Sequence, residues 1–381
     1  MDIPFDTLPS PCYIIDKSRL LHNLSVIDTV RRESGVSILM ALKGFASWQA
    51  FSLIKPHCDG GAVSSENETL LAHQYLSKHL HAYAPAYLPE EFETIATLSS
   101  HLTFNSISQY EQWHQKAKQY NSQISLGLRV NPEYSDVETA LYNPANPQSR
   151  LGITEKYFPQ KLPHDIEGLH IHTLCESTAT AFEKLLENTE KKFGQFFQSL
   201  KWINFGGGHL MTHKDYDTPL LIRLLNDFRL RYPHLEVILE PSAAFVWQAG
   251  FLVSEVLDIV ENETIKTAIL NVSFTAHMPD TLEMPYQPKV LGADNGDTKK
   301  HSYRLGGNSC LAGDFIGNWS FDTPLSIGDT IVFDDMIHYT TVKTTFFNGV
   351  KHPCIGLWDN DLERLIKYKE FSFDDFKNRL G

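Results

Sequence analysis

Lys43 is the first residue in this sequence placed to do chemistry. It follows Met40, Ala41 and Leu42, and an ammonium desolvated there is pushed toward the neutral amine that forms Schiff bases. A strand-end lysine whose head group returns to solvent is the plainer reading. Glu240, in Leu-Glu-Pro, ends another apolar run, and a carboxylate buried there demands a protonated partner: a protonated ring nitrogen, or a lysine or arginine of the same interior. Gly206, Gly207 and Gly208 carry no side chains, so their N–H groups can close on a phosphate or simply make a tight turn. His170 and His172 share one face of a strand. They lack further ligands at metal-binding spacing, so no metal is expected and an aromatic face for stacking is the better use of His172. Farther along, Cys310 and Asp314 stand in a glycine-rich segment, GGNSCLAGDF; a thiol can donate a proton and a carboxylate can hold an amine. Tyr339 adds a hydroxyl that could bond a phosphate or only pack.

Most of these groups fall at the ends of one kind of element. Eight short β-rich runs alternate with amphipathic helical segments, at 36–42, 58–65, 79–85, 101–106, 124–130, 166–172, 202–208 and 235–241. Eight such units predict an α/β (β/α)8 TIM-like barrel over residues 16–245, with a doubly wound open sheet as the alternative. The active site of a barrel lies at the C-terminal ends of its strands. Those ends carry Lys43; Ser64, Ser65 and Glu66; Asn105; Arg129 and Asn131; His172 and Glu176; Gly206 to His209; and Glu240. After residue 245 the helical pattern fades, and FLVSEVLDIVEN, KTAILNVSF, DTIVFDDM and HYTTVKTTFFNG read as strands. Residues 246–381 therefore form a β-rich domain that also takes the N-terminal strand from 1–15. The proline-rich stretch at 131–148 is a long loop and a candidate functional segment.

Composition excludes several classes. Of 381 residues, 33 are Lys or Arg and 46 are Asp or Glu, a net charge of −13 with no basic patch, so nucleic acid is not an expected partner. The N-terminus lacks the pattern of a signal peptide, and no apolar run reaches the ~18 residues of a membrane span. A soluble, cytoplasmic protein with no membrane partner is expected. Five scattered cysteines without CxxC spacing are expected to be reduced thiols.

Taken in order, a lysine on strand one, a histidine on strand six, glycines on strand seven, a glutamate on strand eight, then Cys-x-x-x-Asp and a tyrosine resemble the alanine-racemase-like, fold type III, pyridoxal-phosphate decarboxylases. Within that family, ALKGFASW, GLHIHTLCES, FGGGH, EPSAAF, AHMPDTLEMPYQP, SCLAGDF and HYTTVKTTFFNG look like the carboxynorspermidine (carboxyspermidine) decarboxylase branch, over nearly the full length. The resemblance implies that Lys43 carries pyridoxal 5'-phosphate and that His172 stacks on its ring. It implies also that Gly206 to Gly208 and Tyr339 hold the phosphate, and that Glu240 keeps the ring nitrogen protonated. It implies a homodimer with shared sites, Cys310 returning the proton and Asp314 reaching the partner's cofactor. Glu176, Glu240, His277, Asp280, Asp314 and Glu283 are then the candidates for seating a polyamine-like substrate. Alternatives are a diaminopimelate or other basic amino-acid decarboxylase of the same fold, a non-catalytic pyridoxal-phosphate-binding or regulatory protein, and a metal-dependent barrel hydrolase using His170, His172 and Glu240. Relatives commonly have glycine and arginine where this chain has Ser242 and Ala243, and a larger residue where it has Gly44.

Overall fold

The computed structural model describes residues 3–138, 143–146 and 148–381. The chain divides into two compact units, Asn23–Phe245 and the remainder: the segment ending at His22 with Val246–Gly381.

In the central unit the strands are β2 (Ser37–Ala41), β3 (Gly60–Val63), β4 (Leu80–Tyr83), β5 (His101–Phe104), β6 (Ser125–Asn131), the short β7 (Ile153–Thr154), β8 (Ile166–His170), β9 (Trp202–Asn204) and β10 (Glu236–Leu239); β1 (Cys12–Asp16) belongs to the other unit. All are parallel. β2 to β6, then β8, β9 and β10, pair in succession and β10 returns to β2, closing an eight-stranded barrel with β7 beside β6. The eight expected strands are all present. The helices between them begin on side-chain caps: Ser65, Ser106, Thr178 and Asp217 each accept a backbone N–H from the first turn. Helix Ala179–Phe193 shows why such segments stay on the barrel, since Phe182, Leu185, Leu186, Thr189 and Phe193 recur at helical spacing and are buried.

Trp202 fills the barrel floor against Leu39, Ala41, Ala62 and Ile238. Its ring fits because positions 127 and 168 are glycine: a Cβ at 168 would stand 2.0 Å from the indole, and one at 127, 2.4 Å. The indole N–H donates to Ser125 Oγ at 2.8 Å, which leaves the opposite end of the barrel for polar side chains. Of the long loop at 131–148, residues 139–142 and 147 lie outside the described residues.

The other unit is a mixed sheet ordered β13-β15-β14-β12-β11-β1-β17-β18, with β16 beside β11. These strands are β11 (Gly250–Asn262), β12 (Ile265–Leu270), β13 (Asp294–Asn295), β14 (His301–Gly306), β15 (Phe315–Phe321), β16 (Thr330–Asp334), β17 (Cys354–Asp359) and β18 (Arg364–Lys369). The N-terminal β1 joins it, antiparallel to β11 and parallel to β17. Tyr13, Leu252, Phe274, Trp319 and Phe333 lie in its core. Two expectations need correction. HYTTVKTTFFNG is not a strand: Tyr339–Val342 is a helical turn and Phe347–Gly349 a 3-10 turn. Thr341 donates from its N–H and hydroxyl to the carbonyls of His338 and Ile337, a local closure that β-branched composition disguises. The cysteines are not all free thiols either. Cys12 and Cys354 are in-register neighbours on parallel strands, with Cα atoms 4.4 Å apart, and are joined as a disulfide; Cys58, Cys175 and Cys310 are free.

Candidate active site

In the barrel, Lys43 lies just past β2, with its Nζ 3.2 Å from His172 Nε2, just past β8. The flanks of Lys43 are tied across to the end of β10: Ser242 Oγ donates to the Ala41 carbonyl at 2.6 Å and accepts the Gly44 N–H at 3.0 Å. Lys43 is exposed to solvent. The surrounding protein nevertheless lowers its pKa, and the Arg129 guanidinium acts in the same direction against the opposing pull of Cys175, Glu240 and Glu68.

His172 accepts the Gly207 N–H at Nδ1, 2.8 Å. Burial, with the positive charges of Lys43 and Arg129, holds its pKa well below the ordinary histidine value, so the ring is neutral. Its one proton is then on Nε2, facing Lys43. A neutral amine can accept that proton's hydrogen bond; an ammonium cannot. Arg129, on β6, donates from Nη2 to the His172 carbonyl at 2.8 Å and lies 4.5 Å over the Tyr83 ring. Tyr83 is itself oriented by donating to Asn105 Oδ1 at 2.8 Å.

Glu240, past β10, is 8% exposed. Its Oε1 accepts from Asn204 Nδ2 at 2.8 Å and, in a closer contact, from His81 Nδ1. Its Oε2 stands 3.6 Å from His170 Nε2. The Glu240 backbone N–H donates to the Gly206 carbonyl at 2.7 Å, which joins the eighth strand end to the glycine turn. That turn needs its glycines: Gly206 and Gly208 have φ of +65° and +91°, and Cβ atoms there would strike the carbonyls of Ile171 and Leu174. Two of the three amides are engaged within the protein, Gly206 with Asn204 Oδ1 and Gly207 with His172.

Other strand-end residues shape the scaffold. Ser65 caps the helix at Glu66–Tyr75, and Glu68 accepts the Ser64 N–H at 2.7 Å. Asn131 accepts the Glu133 N–H. Glu176 is exposed and holds a positive φ of 50°.

The sheet domain carries the second set. Cys310 is exposed on the loop between β14 and β15, its N–H donating to Asn348 Oδ1 at 2.6 Å. Asp314 is buried and accepts from the Thr275 N–H, the Ser309 N–H and the Ser309 hydroxyl. An amine reaching Asp314 would share a carboxylate already holding three hydrogen bonds. Asp280 is different: Oδ2 accepts from Tyr286 at 2.7 Å and Thr340 at 3.3 Å, but its buried Oδ1 has no partner among the described residues. His277 accepts the Ser273 N–H at Nδ1, and burial lowers its pKa to about 3. Glu283 pairs with Lys343 at 2.6 Å. Tyr339 opens the helical turn at 339–342.

The barrel thus brings together Lys43, His172, Glu240 and the glycine run. Reading strand ends alone misses His81, Thr103 and Asn204, which stand within β4, β5 and β9. Their signal is a polar residue inside an otherwise apolar parallel strand, where burial obliges it to find a partner.

Comparison with known proteins agrees. The pyridoxal-dependent decarboxylase, C-terminal sheet domain, family matches residues 12–337. The carboxyaminopropylagmatine decarboxylase of Synechocystis sp. is 45% identical over 98% of this chain and 96% of its own length. The carboxynorspermidine/carboxyspermidine decarboxylase of Campylobacter jejuni is 42% identical, covering 98% and 99%. A crystal structure of carboxynorspermidine decarboxylase with norspermidine, from Campylobacter jejuni, superposes with a TM-score of 0.90 at 41% identity, over 98% of this chain and 100% of that one. With Glu240, Lys43 and His172 converging at the mouth of one barrel, and with these relatives spanning nearly its whole length, the chain belongs to the pyridoxal-dependent decarboxylases.

Proposed function

We propose that this chain decarboxylates carboxynorspermidine or carboxyspermidine to norspermidine or spermidine, a step of polyamine biosynthesis. The observation that carries the reading is the Lys43–His172 pair at 3.2 Å beside a buried glutamate. The residues fit pyridoxal phosphate: an amine of lowered pKa for attachment, a neutral imidazole to lie on the ring, and one oxygen of Glu240 left for the ring nitrogen. Both nitrogens of buried His170 lack hydrogen-bond partners among the described residues, so polar atoms remain at that depth. Gly208 is the proposed phosphate contact of the barrel, since the Gly206 and Gly207 amides are already used, and Tyr339 is proposed as a phosphate contact from family resemblance alone.

When bound, the cofactor supplies a conjugated sink for the electron pair left behind as CO2 departs. The protein's part is proton management. The His172 Nε2–H favours the free amine of Lys43, the form that would take up the cofactor, and Glu240 would keep a proton at the ring nitrogen. Cys310 is the proposed donor of the proton that replaces the carboxylate. Asp280, with its open Oδ1, and exposed Glu176 are the proposed seats for the substrate's ammonium groups, and the charge of −13 assists encounter with a polycation. A cytoplasmic homodimer in which Cys310 serves the partner's cofactor is proposed from family resemblance; no helix among the described residues is long and apolar enough to cross a membrane.

A second reading has its own support. The 45%-identical Synechocystis relative acts on carboxyaminopropylagmatine, whose guanidinium would take the place of an ammonium at a carboxylate. Purified enzyme incubated separately with carboxynorspermidine, carboxyspermidine, carboxyaminopropylagmatine and diaminopimelate, with amine products resolved by mass spectrometry, decides between them. Turnover of either of the first two at the highest kcat/KM supports the proposal. A higher value for carboxyaminopropylagmatine supports the second reading, and turnover of diaminopimelate alone overturns both.

A further inference from the structure

We propose that Thr103 and His81 are positioning residues that, with Asn204, hold Glu240 as a carboxylate with a single oxygen directed at the ring nitrogen of the cofactor. The inference deepens the reading above and rests on it.

Glu240 is buried, and no lysine or arginine forms an ion pair with it among the described residues. A buried carboxylate without an ion-pair partner needs hydrogen-bond donors to stabilise its anionic form. Both donors found go to Oε1. Asn204 is held in the orientation this requires: its Oδ1 accepts the Gly206 N–H at 2.8 Å, so its amide nitrogen is the atom that faces Glu240. His81 is held in the same sense. Its Nδ1 lies closer to Glu240 Oε1 than to the Asn204 amide nitrogen, 3.1 Å away, and bears a proton toward the carboxylate, while its Nε2 lies 2.7 Å from Thr103 Oγ1. Thr103 is fully buried and His81 is 1% exposed. The imidazole plane is fixed by edge contacts with His170 and Trp202, at 5.0 and 5.8 Å between ring centroids.

The result is a hydroxyl–imidazole–carboxylate chain, Thr103 to His81 to Glu240. It has the parts of a nucleophilic triad, but the hydroxyl end is sealed in the barrel wall, so it cannot attack a substrate. Its effect runs the other way. With Oε1 occupied by two donors, Oε2 is the oxygen left for a ring N–H, and the donors on Oε1 make it favourable for the proton to reside on the ring rather than on Glu240. Loss of the Thr103 hydroxyl leaves His81 Nε2 buried without a partner and frees the imidazole to turn. Glu240 then keeps more of the shared proton, and the electron sink weakens.

The test loads wild type, Thr103→Val, Thr103→Ser and His81→Gln with pyridoxal phosphate labelled with 15N in the ring, and reads the nitrogen resonance beside kcat and KM. Thr103→Val is nearly isosteric. It is expected to move the resonance toward the unprotonated position and to lower kcat about tenfold with KM within about twofold, and Thr103→Ser is expected to restore both. His81→Gln, which severs the link to Thr103, is expected to move the resonance in the same direction. A resonance and kcat equal to wild type in both Thr103→Val and His81→Gln, with cofactor bound, overturns the inference alone. A wild-type protein that takes up no cofactor overturns the reading beneath it.

Discussion

Replacing Ser242 by alanine removes one hydroxyl and should disturb the site through Lys43. That hydroxyl bridges Ala41 and Gly44, the residues on either side of Leu42-Lys43, by a donated bond of 2.6 Å and an accepted bond of 3.0 Å. All three residues are buried, so water does not take the hydroxyl's place, and the Gly44 N–H is left without an acceptor. Two hydrogen bonds lost at about 1 kcal/mol each, plus part of the cost of an unsatisfied buried donor, give roughly 2–3 kcal/mol. In a barrel of this size that lowers Tm by roughly 4–12 °C. Freed on both sides, Lys43 also leaves its 3.2 Å position at His172 for part of the time, and a displacement near 1 Å is enough to cost about tenfold or more in kcat. Differential scanning calorimetry and steady-state kinetics on Ser242→Ala, Ser242→Gly and Ser242→Thr separate the terms. The alanine and glycine variants should lose both stability and kcat, and the threonine variant, which keeps an Oγ, should regain most of each. Unchanged Tm and kcat in Ser242→Ala would refute the staple.

Acid should unfold the barrel through its neutral histidines. Burial lowers the pKa of His209 to about 4, so its contribution is fully present above the unfolded value near 6.5 and is lost as pH falls through 6.5 toward 4; urea midpoints measured from pH 7 to 4 should fall less steeply in His209→Phe. Gly168→Ala places a methyl 2.0 Å from the Trp202 ring and should cost about 3 kcal/mol or more, seen as a lost or strongly lowered melting transition, whereas the double variant Gly168→Ala/Trp202→Phe should recover part of it. Apoenzyme should take up pyridoxal phosphate with a pH dependence whose midpoint lies below the 10.5 of free lysine, because desolvation and the Arg129 charge lower the pKa of the Lys43 amine; a midpoint at or above 10.5 in stopped-flow absorbance would contradict the direction of that shift. Denatured, unreduced protein should titrate three thiols and reduced protein five, given the Cys12–Cys354 bond.

Much of this site is legible in the sequence because a parallel barrel separates its residues by position. Strand interiors are apolar, so a lysine after Met-Ala-Leu or a glutamate after Val-Ile-Leu stands out at the strand end. The sheet domain offers no such rule. Its threonine- and aromatic-rich segment at 338–349 has strand composition but closes on itself through the Thr341 hydroxyl, while β17 pairs on one side with its hairpin neighbour β18 and on the other with β1, more than 300 residues away in sequence. The Cys12–Cys354 pair is hidden for the same reason: separation in sequence says nothing about registry across strands. His81 and Thr103 escape notice because HLHAY and HLTF pass as ordinary alternating strands, and only closure of the barrel turns both residues inward beside Glu240.

Closure also sets which ring nitrogen each imidazole of the interior turns toward Lys43 and toward Glu240. His172 and His81 are imidazoles of opposite tautomer. The Gly207 N–H occupies Nδ1 of His172 and leaves its proton on Nε2, toward Lys43; Thr103 occupies Nε2 of His81 and leaves its proton on Nδ1, toward Glu240. A proton offered to the lysine favours the free amine, and a proton offered to the glutamate favours the anion, so neither residue needs a charged neighbour as ion-pair partner. Between them His170 stands stacked against His172, 6.4 Å between centroids, and is held neutral by burial. Exchanging either tautomer would reverse its effect: a His172 that turned Nδ1–H toward the glycine loop would set two donors against each other there and present a lone pair to Lys43, which then holds its proton. The Gly206–Gly208 turn therefore acts on the lysine as well as shaping the strand end, and Gly207→Ala, whose Cβ would meet the Glu240 carbonyl at 2.4 Å, should disturb the lysine and the glutamate together, raising the apparent pKa of cofactor uptake while lowering kcat.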